Sequence, residues 1–94
     1  MSDKKIHKIK LRDKFADDVE SGRKNFEIRF NDRGYQTGDL VQFTVVDDMG
    51  THLYIYGELE KKLFEITYVL NGWGLKDGYV VFGIKEIEEQ QGEQ

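Results

Sequence analysis

The sequence has no cysteine and no proline, and it holds a single tryptophan. Without cysteine there can be neither a disulfide framework nor a thiolate metal site, so zinc-ribbon and disulfide-stapled architectures are excluded and a reducing compartment suits the chain. Without proline there is no proline-rich linker to separate two units, and no internal repeat interrupts the chain. Long apolar runs are missing as well. Nothing approaches the ~20 residues that span a bilayer, and Met1-Ser2-Asp3-Lys4-Lys5 leads into a strand-like pattern rather than an apolar signal run. The expectation is a cytoplasmic, unprocessed protein that meets no membrane. Its 94 residues fit one domain with a modest core, placed at residues 1–87, followed by an acidic, Gln-rich tail at 88–94 that is expected to be disordered.

A large excess of positive charge is also lacking. The net charge of −4 argues against a protein that coats nucleic acid through bulk electrostatics. The distribution is uneven, however: residues 1–33 hold ten Lys/Arg against seven Asp/Glu, and residues 34–94 hold four against eleven. Such a locally basic end is either plain surface solvation or a functional face.

Period-two alternation in His7-Lys8-Ile9-Lys10-Leu11 predicts a half-buried strand with His7, Ile9 and Leu11 inward. From Asp13 the spacing of Phe15, Ala16 and Val19 is helical, with Asp13 able to cap the start and Gly22 suited to end it. Asn25 to Phe30 alternates again and predicts a strand with Phe26, Ile28 and Phe30 inward and Glu27 and Arg29 on the opposite face. A polar loop, Asn31 to Asp39, leads to a strand at Leu40–Val46 and a turn at Asp47–Gly50. Strands around Thr51–Tyr56 and Leu59–Leu70 are predicted to pair as a hairpin about Gly57-Glu58. A glycine-rich loop, Asn71 to Leu75, precedes Tyr79–Ile84, which is apolar on both faces and therefore expected to be central, with Gly83 marking a bulge or bend. The expected buried set includes Phe26, Ile28, Val41, Phe43, Val81 and Ile84. Short strands with one or two short helices, and no βαβ alternation, predict a mainly β, α+β domain built as a small mixed barrel.

The junction Ser21 to Arg29 gathers a glycine and three ionisable groups. Glu27 and Arg29 are two apart on a strand and so share a face, and Lys24 at the strand entrance can lean over the same cleft. Cations suit phosphate or carbonyl oxygens, and a carboxylate suits the N–H groups of a base. The plain alternative is a surface ion pair of little energetic weight.

Gly22-x-Lys24-x-x-Glu27-x-Arg29 is similar to the G-x-K-x-x-E-x-R signature of the ASCH superfamily, whose members have a PUA-like β-barrel. Together with Asn31-Asp32-Arg33, Gly38-Asp39 and the stretch from Leu70 to Val81, it resembles a compact bacterial and phage branch of that superfamily, over about His7 to Ile84. The resemblance implies a PUA-like fold, a cleft in which Lys24, Glu27 and Arg29 face the ligand, and binding of RNA or a nucleotide-like molecule without a cofactor. Lys10, Asn31, Arg33, Trp73 and Tyr79 complete the candidate ligand-binding set, and a monomer is expected.

One ASCH branch hydrolyses an acylated cytidine with a lysine, a threonine three residues later and a glutamate on a later helical segment. Here Glu27 holds the threonine's place, and the interval from Leu70 to Tyr79 is too short for that segment. Binding is therefore preferred to an amidohydrolase acting on a modified nucleoside, and no catalytic residue is assigned. A third reading is a protein-interaction module, which would show an exposed apolar patch. Trp73 is either a base-stacking platform or a core lid, and a lone tryptophan in a small domain is more often packed. His7 and His52 lie too far apart to suggest a metal site, and His7 is expected to be a satisfied, partly buried histidine.

Overall fold

The computed structural model describes residues 4–88, and the tail expected at 88–94 lies, from residue 89 on, outside them. The first strand, β1 (Ile6–Arg12), buries His7, Ile9 and Leu11 as its alternation predicts. A 3-10 turn, Asp13–Phe15, runs into helix α1 (Ala16–Ser21), whose Ala16 and Val19 enter the core. Asp13 does not cap α1: it lies in the 3-10 turn, and no side chain caps either segment. Gly22 does end the helix, at φ 86°, where its N–H donates to the Val19 carbonyl and only glycine is free of a Cβ penalty.

Strand β2 (Phe26–Phe30) and strand β3 (Leu40–Val46) follow, then a 3-10 turn at Tyr54–Tyr56, helix α2 (Gly57–Glu60), and strands β4 (Phe64–Asn71) and β5 (Tyr79–Glu86). They form one mixed sheet in the order β1-β3-β4-β5-β2, in which β1 and β3 are parallel and the other pairs antiparallel. The protein is thus mainly β, with two short helices. Strand β5 is flanked by β4 and β2, as its two apolar faces require. Gly83 lies opposite a register slip between Ile66 and Tyr68, and a Cβ there would come within 2.5 Å of Thr67 Oγ1.

Three further expectations are corrected. The sheet is not closed into a barrel: β1 and β2 are its two edges. The bonds from Ile84 N to Asn25 O and from Asn31 N to Gly78 O bracket β2, so its odd-numbered residues bond to β5 and its even-numbered ones turn their N–H and C=O groups to the open edge. There side chains take the place of a strand, since Lys24 Nζ donates to Phe26 O and Arg29 Nη2 donates to Lys10 O on β1. A side-chain bridge spans the seam.

The hairpin about Gly57-Glu58 does not form. Tyr54 and Ile55 are both exposed, which breaks any alternation, and Leu59 is buried from α2. Of the strand expected at Thr51–Tyr56 only an isolated bridge between Val46 and His52 remains. The local cause is β3, which pairs with β4 only at Leu40 and Val41. Beyond that point its polar groups are met by α2, where Glu60 Oε2 accepts from Val45 N and Glu60 O accepts from Gln42 Nε2.

The faces of β2 are the reverse of those predicted. Glu27 is 3% exposed, whereas Ile28 is 53% exposed and Phe26 and Phe30 are similarly open. Cross-strand partners share a face, and Glu27 lies opposite the buried Phe82 while Ile28 lies opposite Val81. Val81 is accordingly half-buried on the outer face, while Val41, Phe43 and Ile84 are buried as expected.

Candidate ligand-binding site

Glu27 can face inward because two cations neutralise it. Its Oε1 accepts from Arg29 Nε (3.1 Å) and Nη2 (3.0 Å), and its Oε2 accepts from Lys24 Nζ (2.6 Å). The strand places Arg29 two residues along the same face, and the turn after Gly22, held by the bond from Lys24 N to Asp18 O, brings Lys24 back over the strand. The Lys24 ammonium also stands 5.1 Å from the ring centroids of both Phe15 and Phe26, within the range of cation–π attraction. The three charged residues singled out in the sequence therefore meet in one cluster.

Their roles differ. Three of the four acceptor positions of the Glu27 carboxylate are taken from within, and its side chain is nearly closed to solvent. Glu27 positions two cations and is not available to a base edge, contrary to the role read from its chemistry alone. Lys24 donates to Phe26 O and Glu27 and keeps a third hydrogen, and the Nη1 amino group of Arg29 has no protein acceptor among the described residues. With two cations and one carboxylate, the cluster carries one net positive charge.

The seam between β1 and β2 opens as a cleft of about 810 Å³. Lys10, Lys24, Glu27, Arg29 and Tyr79 line it, along with residues that charge and spacing gave no reason to choose: Phe15, Phe26, Ile28, Phe30 and Met49. The outward apolar residues of β2 thus furnish a wall beside the cations. The sequence carried no signal for this wall, because period-two alternation is symmetric and does not say which face is inside.

The remaining candidates are dispersed. Asn31 Oδ1 accepts from Tyr35 N and shapes the loop, and Arg33 is exposed outside the main cleft. Tyr79 packs edge-to-face with Phe30, ring centroids 5.5 Å apart. Trp73 is not a core lid: it is 89% exposed and has φ 53° between Gly72 and Gly74, which also have positive φ. Residues 72–78, which join β4 to β5, contain turns and no helix.

His7 and Asp39 form a separate buried pair (2.8 Å), with the Tyr35 ring 4.8 Å from the imidazole. Asp39 also accepts from Gln36 N, so this group holds the loop before β3 and has a structural role. Burial pushes the Tyr35 hydroxyl above its ordinary pKa, against the pull of Arg29 and Arg33. Among the described residues no three His, Asp or Glu side chains gather as a metal site, and no helix is long and apolar enough to cross a membrane.

No curated protein matches the chain. The model of a domain family of unknown function, DUF3850, matches residues 6–84, which run from the start of β1 into β5, and the chain belongs to that family.

Proposed function

We propose that the protein is a binding module for RNA or a nucleotide-like ligand, held in the cleft between β1 and β2. The observation that carries this reading is the Lys24–Glu27–Arg29 cluster. A buried carboxylate fixes two cations that retain unused donors beside a wall of Phe15, Phe26 and Ile28. Fixed cations suit phosphate or carbonyl oxygens, and an aromatic wall suits a base. Kinship with the ASCH superfamily belongs to the same reading, as do a cytoplasmic location, a monomeric state and a bacterial or phage origin. Its support is the G-x-K-x-x-E-x-R segment, whose three charged residues converge.

A second reading has a specific observation in its favour. Phe26, Ile28, Phe30 and Tyr68 are all exposed on strands that adjoin β5, and such a patch also fits a protein-interaction module. The two readings separate at Lys24. Calorimetric titration of adenosine monophosphate and of short single-stranded RNA at low salt is expected to show binding that Lys24→Ala abolishes and Lys24→Arg largely keeps, because only the charge is needed. Absence of binding by the native protein would favour a protein partner. Turnover of an acylated cytidine, lost in both variants, would instead make Lys24 an acid–base group.

A further inference from the structure

The main cleft does not end at β2. A second depression, about 470 Å³ in volume, is lined by Asn71, Gly72, Leu75 and Lys76, and it shares Phe30 and Tyr79 with the first. The edge-to-face pair of these two rings is therefore a saddle common to both. The Phe30 ring lies against Gly78: a Cβ there would come within 2.6 Å of Phe30 Cε1 and push the ring aside, and Gly78 has φ 84°, which strains any larger residue. Trp73 does not itself line the second depression, but it belongs to the loop whose residues Gly72 and Leu75 do.

Trp73 is the sole tryptophan, it is almost wholly exposed, and it is held in the left-handed region that non-glycine residues seldom occupy. A large ring kept in water by a strained loop contributes nothing to the core. Along β2, Phe26 and Phe30 share a face about 13 Å apart at strand spacing, so the aromatic surface extends past the reach of one base. Charge is graded along it. The Lys24–Arg29 end carries a net positive charge, while the second depression balances Lys76 against Asp77. One end suits phosphate, and the other suits stacked bases.

We infer that the ligand is a single-stranded RNA segment of several nucleotides, running from the Lys24–Arg29 cleft over the Phe30–Tyr79 saddle to Trp73. This rests on the nucleotide-binding reading and adds an extended track and a stacking residue to it. The test is fluorescence and calorimetric titration of the full chain with hexa-adenylate and with adenosine monophosphate at low salt. The expected result is that both ligands bind, that hexa-adenylate quenches Trp73 emission, and that the mononucleotide saturates the protein without quenching it. Trp73→Ala is expected to weaken hexa-adenylate about tenfold, in keeping with the loss of one stacked base, and Trp73→Phe to restore most of that loss. Hexa-adenylate that binds without quenching Trp73, at an affinity unchanged in Trp73→Ala, overturns the track and leaves the cleft reading intact. Failure of both ligands to bind overturns the two together.

Discussion

In β1 the apolar residues Ile9 and Leu11 are buried while Lys8 and Lys10 face water. In β2, the opposite edge of the same sheet, Glu27 is buried while Phe26, Ile28 and Phe30 are exposed. Both strands alternate with the same period, and both leave one edge unpaired. The difference lies in what each inward residue can find. In β1 the aliphatic Ile9 and Leu11 meet the core and the one polar inward residue, His7, meets Asp39, whereas in β2 a carboxylate meets Lys24 and Arg29 at a seam the sheet leaves open. A polar face turned inward must be neutralised, and the apolar face turned outward in exchange is where a ligand can be met.

The largest expected effect comes from making one substitution on both strands. Ile9→Ala should destabilise the protein by about 3 kcal/mol, as a cavity in a closed core does, and Ile28→Ala by less than about 1 kcal/mol. Urea denaturation measures both, and equal losses would mean that the two strands present the same face. Next, Glu27→Gln keeps the shape but leaves Lys24 and Arg29 facing each other without a counter-charge. Because both cations retain some solvent contact, the expected loss is about 2 kcal/mol, against less than about 0.5 kcal/mol for Lys8→Ala on β1.

A smaller effect concerns salt. Each neutralised phosphate of a single strand contributes about −0.7 to the slope of log K against log salt, so a site using Lys24, Arg29 and one neighbour such as Lys10 should give a total near −2. Arg29→Ala should flatten that slope by about 0.7. A slope that is steep and unchanged in the variant would place the contacts elsewhere. Smallest is an alkaline effect at Tyr35, whose hydroxyl ionises above its ordinary value of 10.0 because it is buried. The neutral form is favoured by folding, so this contribution is fully present below pH 10.0 and is lost as pH rises through the folded value. Tyr35→Phe should remove that part of the alkaline loss in denaturation curves measured from neutral to high pH.

Much of the architecture was legible because period-two alternation fixes a strand whichever way it faces. β1, β3 and β5 follow directly, and Gly22 and Gly83 stand where a left-handed cap and a bulge require them. The orientation of β2 was not legible, because it depends on Phe82 across the ladder and on Lys24 brought back by a turn, both non-local. Helix α2 was hidden for a similar reason. Leu53, Tyr56 and Leu59 mix with strand-like neighbours, and what decides the conformation is the need of Val45 and Gln42 for Glu60. At the site, spacing alone brought Lys24, Glu27 and Arg29 together, but the apolar wall of the cleft appears only once the strand is turned over.

The account's central claim is that the β1–β2 seam receives the ligand, and amide chemical-shift mapping of the isotopically labelled protein during titration with hexa-adenylate tests it most directly. The expected result is a continuous set of perturbed amides at residues 10–12 and 24–30, extended by the track to residues 72–79, with the His7–Asp39 region and α2 unmoved. Perturbations confined to α2 and the surface around it, with residues 24–30 unchanged, would contradict it.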